Sequence, residues 1–316
     1  MNCLHVLNGD ATLTQFRESG LQGQTVVCRE MMCEGKVKYT TDMMAFFETR
    51  AKHLEYQYGI DMQTYHASVV TELDKLNTTP DIDEIVLWFE FDLFCQINLL
   101  FILHYLKTQK PDFHNISLVS IDHHQDIPDF RGLGMLSAKH FPQLFENRVF
   151  LEIPDLELAA RAWEAYCQKD PLMLETVSHV ANDGALALLG PALKAHLQRL
   201  PSKRDGLNTI QRFFLLKLAY GNYRWYDLYY LFWNEMKIYG FGDFQLDIYL
   251  QRMLRAGVIE QVDQMVTITA LGREILQGEE NYLDYVPLQH RWLGGVRLLN
   301  SPWRWDELED KIIQVA

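Results

Sequence analysis

Short apolar runs alternate with longer stretches of helical periodicity over the first half of the chain. Cys3 to Leu7, Gln24 to Cys28, Glu84 to Phe89, Ile116 to Ile121 and Arg148 to Ile153 read as five strands. The third is apolar without interruption, the pattern of a strand covered on both faces. Between the strands, spacing predicts helices over 12–20, 42–58, 61–77, 93–107 and 137–146. Leu93, Ile97, Leu100 and Leu103 recur at helical spacing, and Asp92 stands before them as an N-cap. Strands and helices in this alternation call for βαβ units with right-handed crossovers. The expected fold is α/β, a Rossmann-like or flavodoxin-like domain with a mainly parallel sheet over residues 1–153.

Beyond that domain the strand signal stops. Helices over 155–168, 171–181 and 184–199 form an all-α segment, 154–202, ending in a linker at Pro201-Ser202-Lys203. Residues 203–276 then order as helices 209–219, 225–238 and 243–256, strands 258–262 and 265–269, and a closing helix at Leu271-Gly272-Arg273. That succession is winged-helix-like. The tail, 277–316, contains HRWLGGVRLL and SPWRWDEL. It is too apolar to stay free and is expected to pack back on the body.

Charge narrows the function classes. The chain of 316 residues carries a formal net charge of −13, which works against nucleic-acid binding by the whole molecule. The distribution is uneven: residues 1–150 hold 12 basic and 20 acidic side chains, whereas 203–276 hold 9 and 8. Five cysteines without a C-x-x-C pair read as reduced structural thiols of a cytoplasmic protein. No apolar run reaches the roughly 18 residues of a membrane span, and the opening MNCLHVLNGD has no secretory-signal pattern.

A parallel sheet aligns all strand C-termini on one edge, where open α/β sheets bind ligands. That edge would collect Asn8, Gly9, Asp10, Arg29, Glu30, Glu90, Asp92 and Asp122, with Gln96 one helical turn in. Asp10, Glu90 and Asp92 are the candidates for acid–base work, or for a hard cation such as Mg²⁺. Asn8 and Arg29 would orient an anionic, nucleotide-like ligand, Glu30 is a further ligand-binding candidate, and Arg131 would clamp an anion beside Gly132 and Gly134. Plainer roles compete. Asp10 and Asp92 suit N-caps, and Arg29 with Glu30 suits a rim ion pair. NGDAT matches no glycine-rich phosphate loop.

Asp122-His123-His124 with Asp126 and Asp129 is metal-like in composition, but adjacent histidines on extended chain point apart, so a solvated loop is favoured. Cys95 lies near a helix N-terminus, which lowers a thiol pKa, yet without a histidine partner it reads as a buried structural thiol. In the helix at the recognition position, Asp243 and Asp247 precede Arg252 and Arg255, a poor arrangement for phosphates.

Several separated motifs resemble the bacterial domain of unknown function 1835 family: LNGDATL at 7–13, CREMMCEGKV at 28–37, the Glu84–Lys107 strand-corner-helix, FRGLGML at 130–136, HRWLGGV at 290–296 and WRWD at 303–306. The resemblance implies that these motifs build one site, but brings no established reaction. Cys28 stands where the family usually has Trp. Phe91 stands where His is usual, which removes the obvious base from that corner. Three roles follow as expectations: a small-molecule enzyme or binding protein with a strand-end cleft, a ligand-sensing regulator using the winged helix on DNA, or a scaffold forming a homodimer.

Overall fold

The computed structural model describes residues 2–315. Strand β1 (Cys3–Asn8) leads through a 3-10 turn at Asp10–Thr12 and helix α1 (Leu13–Glu18) to β2 (Gln24–Cys28). A two-residue strand β3 (Gly35–Lys36) and helix α2 (Met43–Tyr58) follow. Helices α3 (Met62–Tyr65) and α4 (Thr71–Thr78), continuous through a π-helical turn, precede β4 (Glu84–Trp88). Helix α5 (Leu93–Gln109) crosses to β5 (Ile116–Val119), and α6 (Phe141–Glu146) ends at β6 (Val149–Phe150).

The main sheet has the order β2-β1-β4-β5-β6, parallel throughout except for β6, which pairs antiparallel with β5. Both faces are covered, and the period of two along each strand sorts the side chains. Leu4, Val6, Ile85 and Leu87 enter one core with α2 and α5. Cys3, Leu7, Val86 and Trp88 enter a second, with Phe16 and Phe141. Helix α5 is apolar almost all round because it is buried almost all round, against the sheet, α7 (Ile153–Tyr166) and α9 (Leu189–Leu197). Helix α8 (Leu172–Val180) completes that helical layer.

The chain then forms α10 (Thr209–Tyr220), β7 (Tyr223–Arg224), α11 (Trp225–Glu235), α12 (Asp243–Arg255), β8 (Ile259–Val262), β9 (Met265–Ile268) and α13 (Ala270–Gln277). Its three strands make a small sheet in the order β7-β9-β8. The tail adds β10 (Trp292–Gly294), β11 (Val296–Arg297), β12 (Trp303–Asp306) and β13 (Lys311–Gln314). β10 runs parallel to β3, so the tail extends the turn that follows β2. Trp305 N–H donates to Pro201 O at 2.9 Å and its carbonyl accepts from Lys203 at 3.1 Å, so the predicted linker is pinned.

Buried ion pairs tie the modules together. Arg50 and Glu30 are both fully buried and meet at 2.9 Å, with Tyr65 Oη donating to the same carboxylate at 2.8 Å. Arg199 bonds Glu34 and donates to the Cys33 carbonyl at 2.6 Å and to Tyr249 Oη at 3.2 Å. The turn after β2 is thereby fastened to α2, α12 and the segment after α9. Among the described residues no helix is long and apolar enough to cross a membrane, and all five cysteines are unpaired.

Candidate functional site

A cleft of about 390 Å³ opens between the C-terminal ends of β1 and β4. These are the strands at which the chain order reverses, the place where open α/β sheets receive ligands. Its floor is Asn8, Glu90, Asp92 and Cys95, one wall is the loop carrying Arg131, Gly132 and Gly134, and its roof is Phe232, Trp233, Met236, Lys237, Gly240 and Phe241.

Asp92 caps α5, its Oδ1 accepting from Cys95 N–H at 2.9 Å. Glu90 accepts at Oε1 from Leu133 N–H at 2.8 Å, and its Oε2 accepts from Cys95 Sγ at 2.9 Å. Both carboxyls are buried, and among the described residues neither has a cation within ion-pair distance. Burial raises the Glu90 pKa above the usual carboxylate range. Burial and then the Glu90 charge raise that of Asp92 to about 7. An acid raised to about 7 beside a second buried carboxyl can take up and release a proton near neutral pH, the arrangement that serves general acid–base chemistry. Cys95 is pushed well up, first by burial and then by the Asp92 and Glu90 charges, which outweigh its position at a helix N-terminus.

Asn8 belongs to the floor as a positioning residue. Its Nδ2 contacts Cys95 Sγ at 2.9 Å and its Oδ1 accepts from Asn98 at 2.8 Å. Gln96 donates to the Glu90 carbonyl at 2.6 Å, while its buried Oε1 has no protein partner. Gly132 lets the loop lie on Glu90: a Cβ there would sit 3.0 Å from Oε1, at φ 157°. Gly134 packs on Ala11. Arg131 is exposed at the mouth, and its guanidinium has no bonding partner among the described residues. Lys237 stands at the same mouth, 3.5 Å from Asp129.

Other predicted site residues lie outside the cleft. Asp10, beyond the Gly9 turn, forms a fork of two 2.7 Å bonds with Arg29, and that guanidinium holds its carboxyl below the usual range. Glu30 is committed to Arg50 and Tyr65. Asp122 is exposed and meets His123 at 2.5 Å. Arg252 turns inward to Gln57 on α2 at 2.7 Å, and Arg255 is exposed.

Two groups have the geometry for a metal. Glu90, Asp92 and Cys95 place ligand atoms within 4.8 Å of one another, and so do His124, Asp126 and His140. In the second group each Nδ1 accepts a backbone N–H at 3.2 Å, from Asp126 and Ser137. The neutral rings then carry their proton on Nε2, the atom a metal would need bare. The first group lacks that obstacle, and its sulfur suits a softer ion better than Mg²⁺.

The roof is what sequence reasoning missed. The visible signal is Gly240-Phe241-Gly242 after an aromatic helix. Gly240 has φ 61°, and a Cβ on it would fall 1.9 Å from Asp92 Oδ1, so backbone lies directly over the carboxylate. No family model matches the chain, and no curated protein matches it.

Proposed function

We propose that the cleft binds a small molecule with an anionic group, and that Glu90 and Asp92 exchange a proton with it. One observation carries this reading: two adjacent buried carboxyls, without a neutralising cation among the described residues, form the floor of an open cleft at the sheet's reversal point. Arg131 and Lys237 supply positive charge at the mouth. Phe94, Phe232, Trp233 and Phe241 supply apolar faces for a planar group, which fits a nucleotide-like ligand. The strand order is that of the flavodoxin-like arrangement. Phe91 stands where the family that the chain resembles usually has His, so we assign the proton exchange at this corner to Asp92.

We read residues 209–277 as a winged-helix-like module that forms the roof of the cleft. On α12, Gln245 contacts Met31, Tyr249 meets Arg199 and Arg252 meets Gln57, so the face a DNA reader would present is engaged by the body. Unpaired cysteines fit a cytoplasmic setting.

The test is a thermal-shift panel of mononucleotides and dinucleotides, with and without Mg²⁺, on the full chain and on Asp92→Asn and Arg131→Gln. Stabilisation by a panel member that both variants lose supports the reading. Stabilisation that both variants keep refutes it.

A further inference from the structure

A second cavity, of about 290 Å³, lies where the C-terminal end of α12 meets α2 and the start of the tail. Its polar lining includes Tyr56, Gln57, Arg252, Arg255, His290 and Arg291. A smaller space behind it shares Gln57, Arg252, His290 and Arg291 and adds His53, whose buried Nε2 has no hydrogen-bond partner. Arg252 and Arg291 are half-buried, and Arg255 is exposed at the rim. Beyond the Arg252 bond to Gln57, the three guanidiniums make no hydrogen bond or ion pair among the described residues. Glu34, whose charge reaches Arg252 and Arg291, is already held by Arg199.

Arginine stems often pack on apolar surface with solvated heads, and such residues need no ligand. Here three arginines line one cavity, and Arg291 acts directly on Arg252. Burial and then that neighbouring charge lower the Arg252 pKa to about 10. In a chain of net charge −13, three arginines at one cavity, with Glu34 lining the space behind them but already held by Arg199, leave a positive field that an anion would neutralise.

We propose that this cavity binds the terminal phosphate of a small phosphorylated molecule, with Arg252, Arg255 and Arg291 as its ligands. The planar guanidinium fork matches phosphate oxygens in pairs. The recess of Arg252 and Arg291 suits a phosphate monoester better than the continuous backbone of a duplex. Tyr56 and His290, with ring centroids 4.8 Å apart, stand at the rim to meet the rest of the ligand.

The test measures binding of inorganic phosphate, pyrophosphate and AMP to the full chain by calorimetry, at ionic strength held constant with KCl. Binding of at least one probe is expected. Arg255→Gln should weaken it at least roughly tenfold, the loss of a charge-assisted contact, without moving the ligand-free Tm. Arg291→Met should abolish it while keeping or raising the ligand-free Tm, since a half-buried like charge is removed. Asp92→Asn should leave the arginine-dependent binding of inorganic phosphate unchanged, which separates this cavity from the cleft, where AMP would bind as well; free phosphate binding as well as AMP marks the phosphate alone as sufficient. No binding of any probe, binding indifferent to Arg255→Gln and Arg291→Met, or a short duplex bound more tightly than AMP through the same arginines would overturn the proposal.

Discussion

In Asp92→Asn the oxygen that caps α5 is retained and the ionisable proton is removed. Asn ranks beside Asp as an N-cap, so Cys95 N–H keeps its acceptor. The wild-type carboxyl, 3% exposed, is raised from 3.8 to about 7 by burial and by Glu90. The folded chain therefore holds this proton more tightly than the unfolded chain. The stability this contributes is complete below pH 4 and is lost as pH rises through about 7. Three pKa units at about 1.4 kcal/mol each amount to roughly 4 kcal/mol withheld from the wild type at pH 8. Asn does not titrate, so the variant escapes that loss. Urea unfolding at pH 5 and pH 8 isolates the effect, because any pH-independent cost of the substitution cancels between the two. The gain from Asp92→Asn should be larger at pH 8 than at pH 5 by roughly 2–3 kcal/mol. Equal effects at both pH values would refute the raised-pKa account. A variant least stable relative to wild type at pH 8 would instead mean that a cation neutralises the pair.

Arg50→Met strands Glu30 in the core with Tyr65 as its remaining side-chain partner, and should cost about 3–5 kcal/mol in urea unfolding near pH 7. Gly240→Ala puts a methyl 1.9 Å from Asp92 Oδ1 at a left-handed φ, so it should cost about 1–3 kcal/mol and abolish ligand-induced stabilisation in the cleft. Cys95 should resist iodoacetamide in the folded chain at pH 8 and react on unfolding, as mass spectrometry of the labelled peptide would show; labelling as fast as in urea would contradict its raised pKa.

The sheet was legible where a local pattern sufficed. β4 spans Glu84–Trp88 against an expected Glu84–Phe89, since an uninterrupted β-branched and aromatic run has few other solutions. The fifth strand shrank to Val149–Phe150 and reversed direction, because an edge strand is set by its partner, and Arg148 is drawn to Glu84 at 2.6 Å. Helix 12–20 began later, at Leu13, after the 3-10 turn at Asp10–Thr12. In the site, the acids at strand ends were visible but their partners were not. Asp10 and Asp92 look alike in sequence; the neighbouring strand end brings Arg29 to the first, and the second has no cation partner among the described residues. The roof comes from residues about 140 positions later, and no local periodicity encodes that contact.

Partnering of buried charge separates structure from site across the molecule. Among the described residues the buried acids are Glu30, Glu34, Glu84, Glu90, Asp92, Asp205 and Asp306. Glu30 has Arg50, Glu34 has Arg199, Glu84 has Arg148, Asp205 has Arg212 and Asp306 has Lys203. Four of those pairs join segments 20 or more residues apart, Asp205 and Arg212 tie the linker to α10 over 7, and in each the partner charge counters the cost of burial. Glu90 and Asp92 are the exceptions, and they face a cavity. On the cationic side Arg50 and Arg199 are fastened, whereas Arg252 and Arg291 are not, and they face the other cavity. An unpaired charge withdrawn from water lowers stability, and a neutral Asn would cap α5 as well as Asp92 does. The two exceptions have opposite sign and lie beside opposite ends of α12, whose 13 residues span about 20 Å. Both proposals rest on that contrast: a proton-exchanging ligand over Asp92 and an anionic one between the arginines would each meet charge that the fold leaves without a partner.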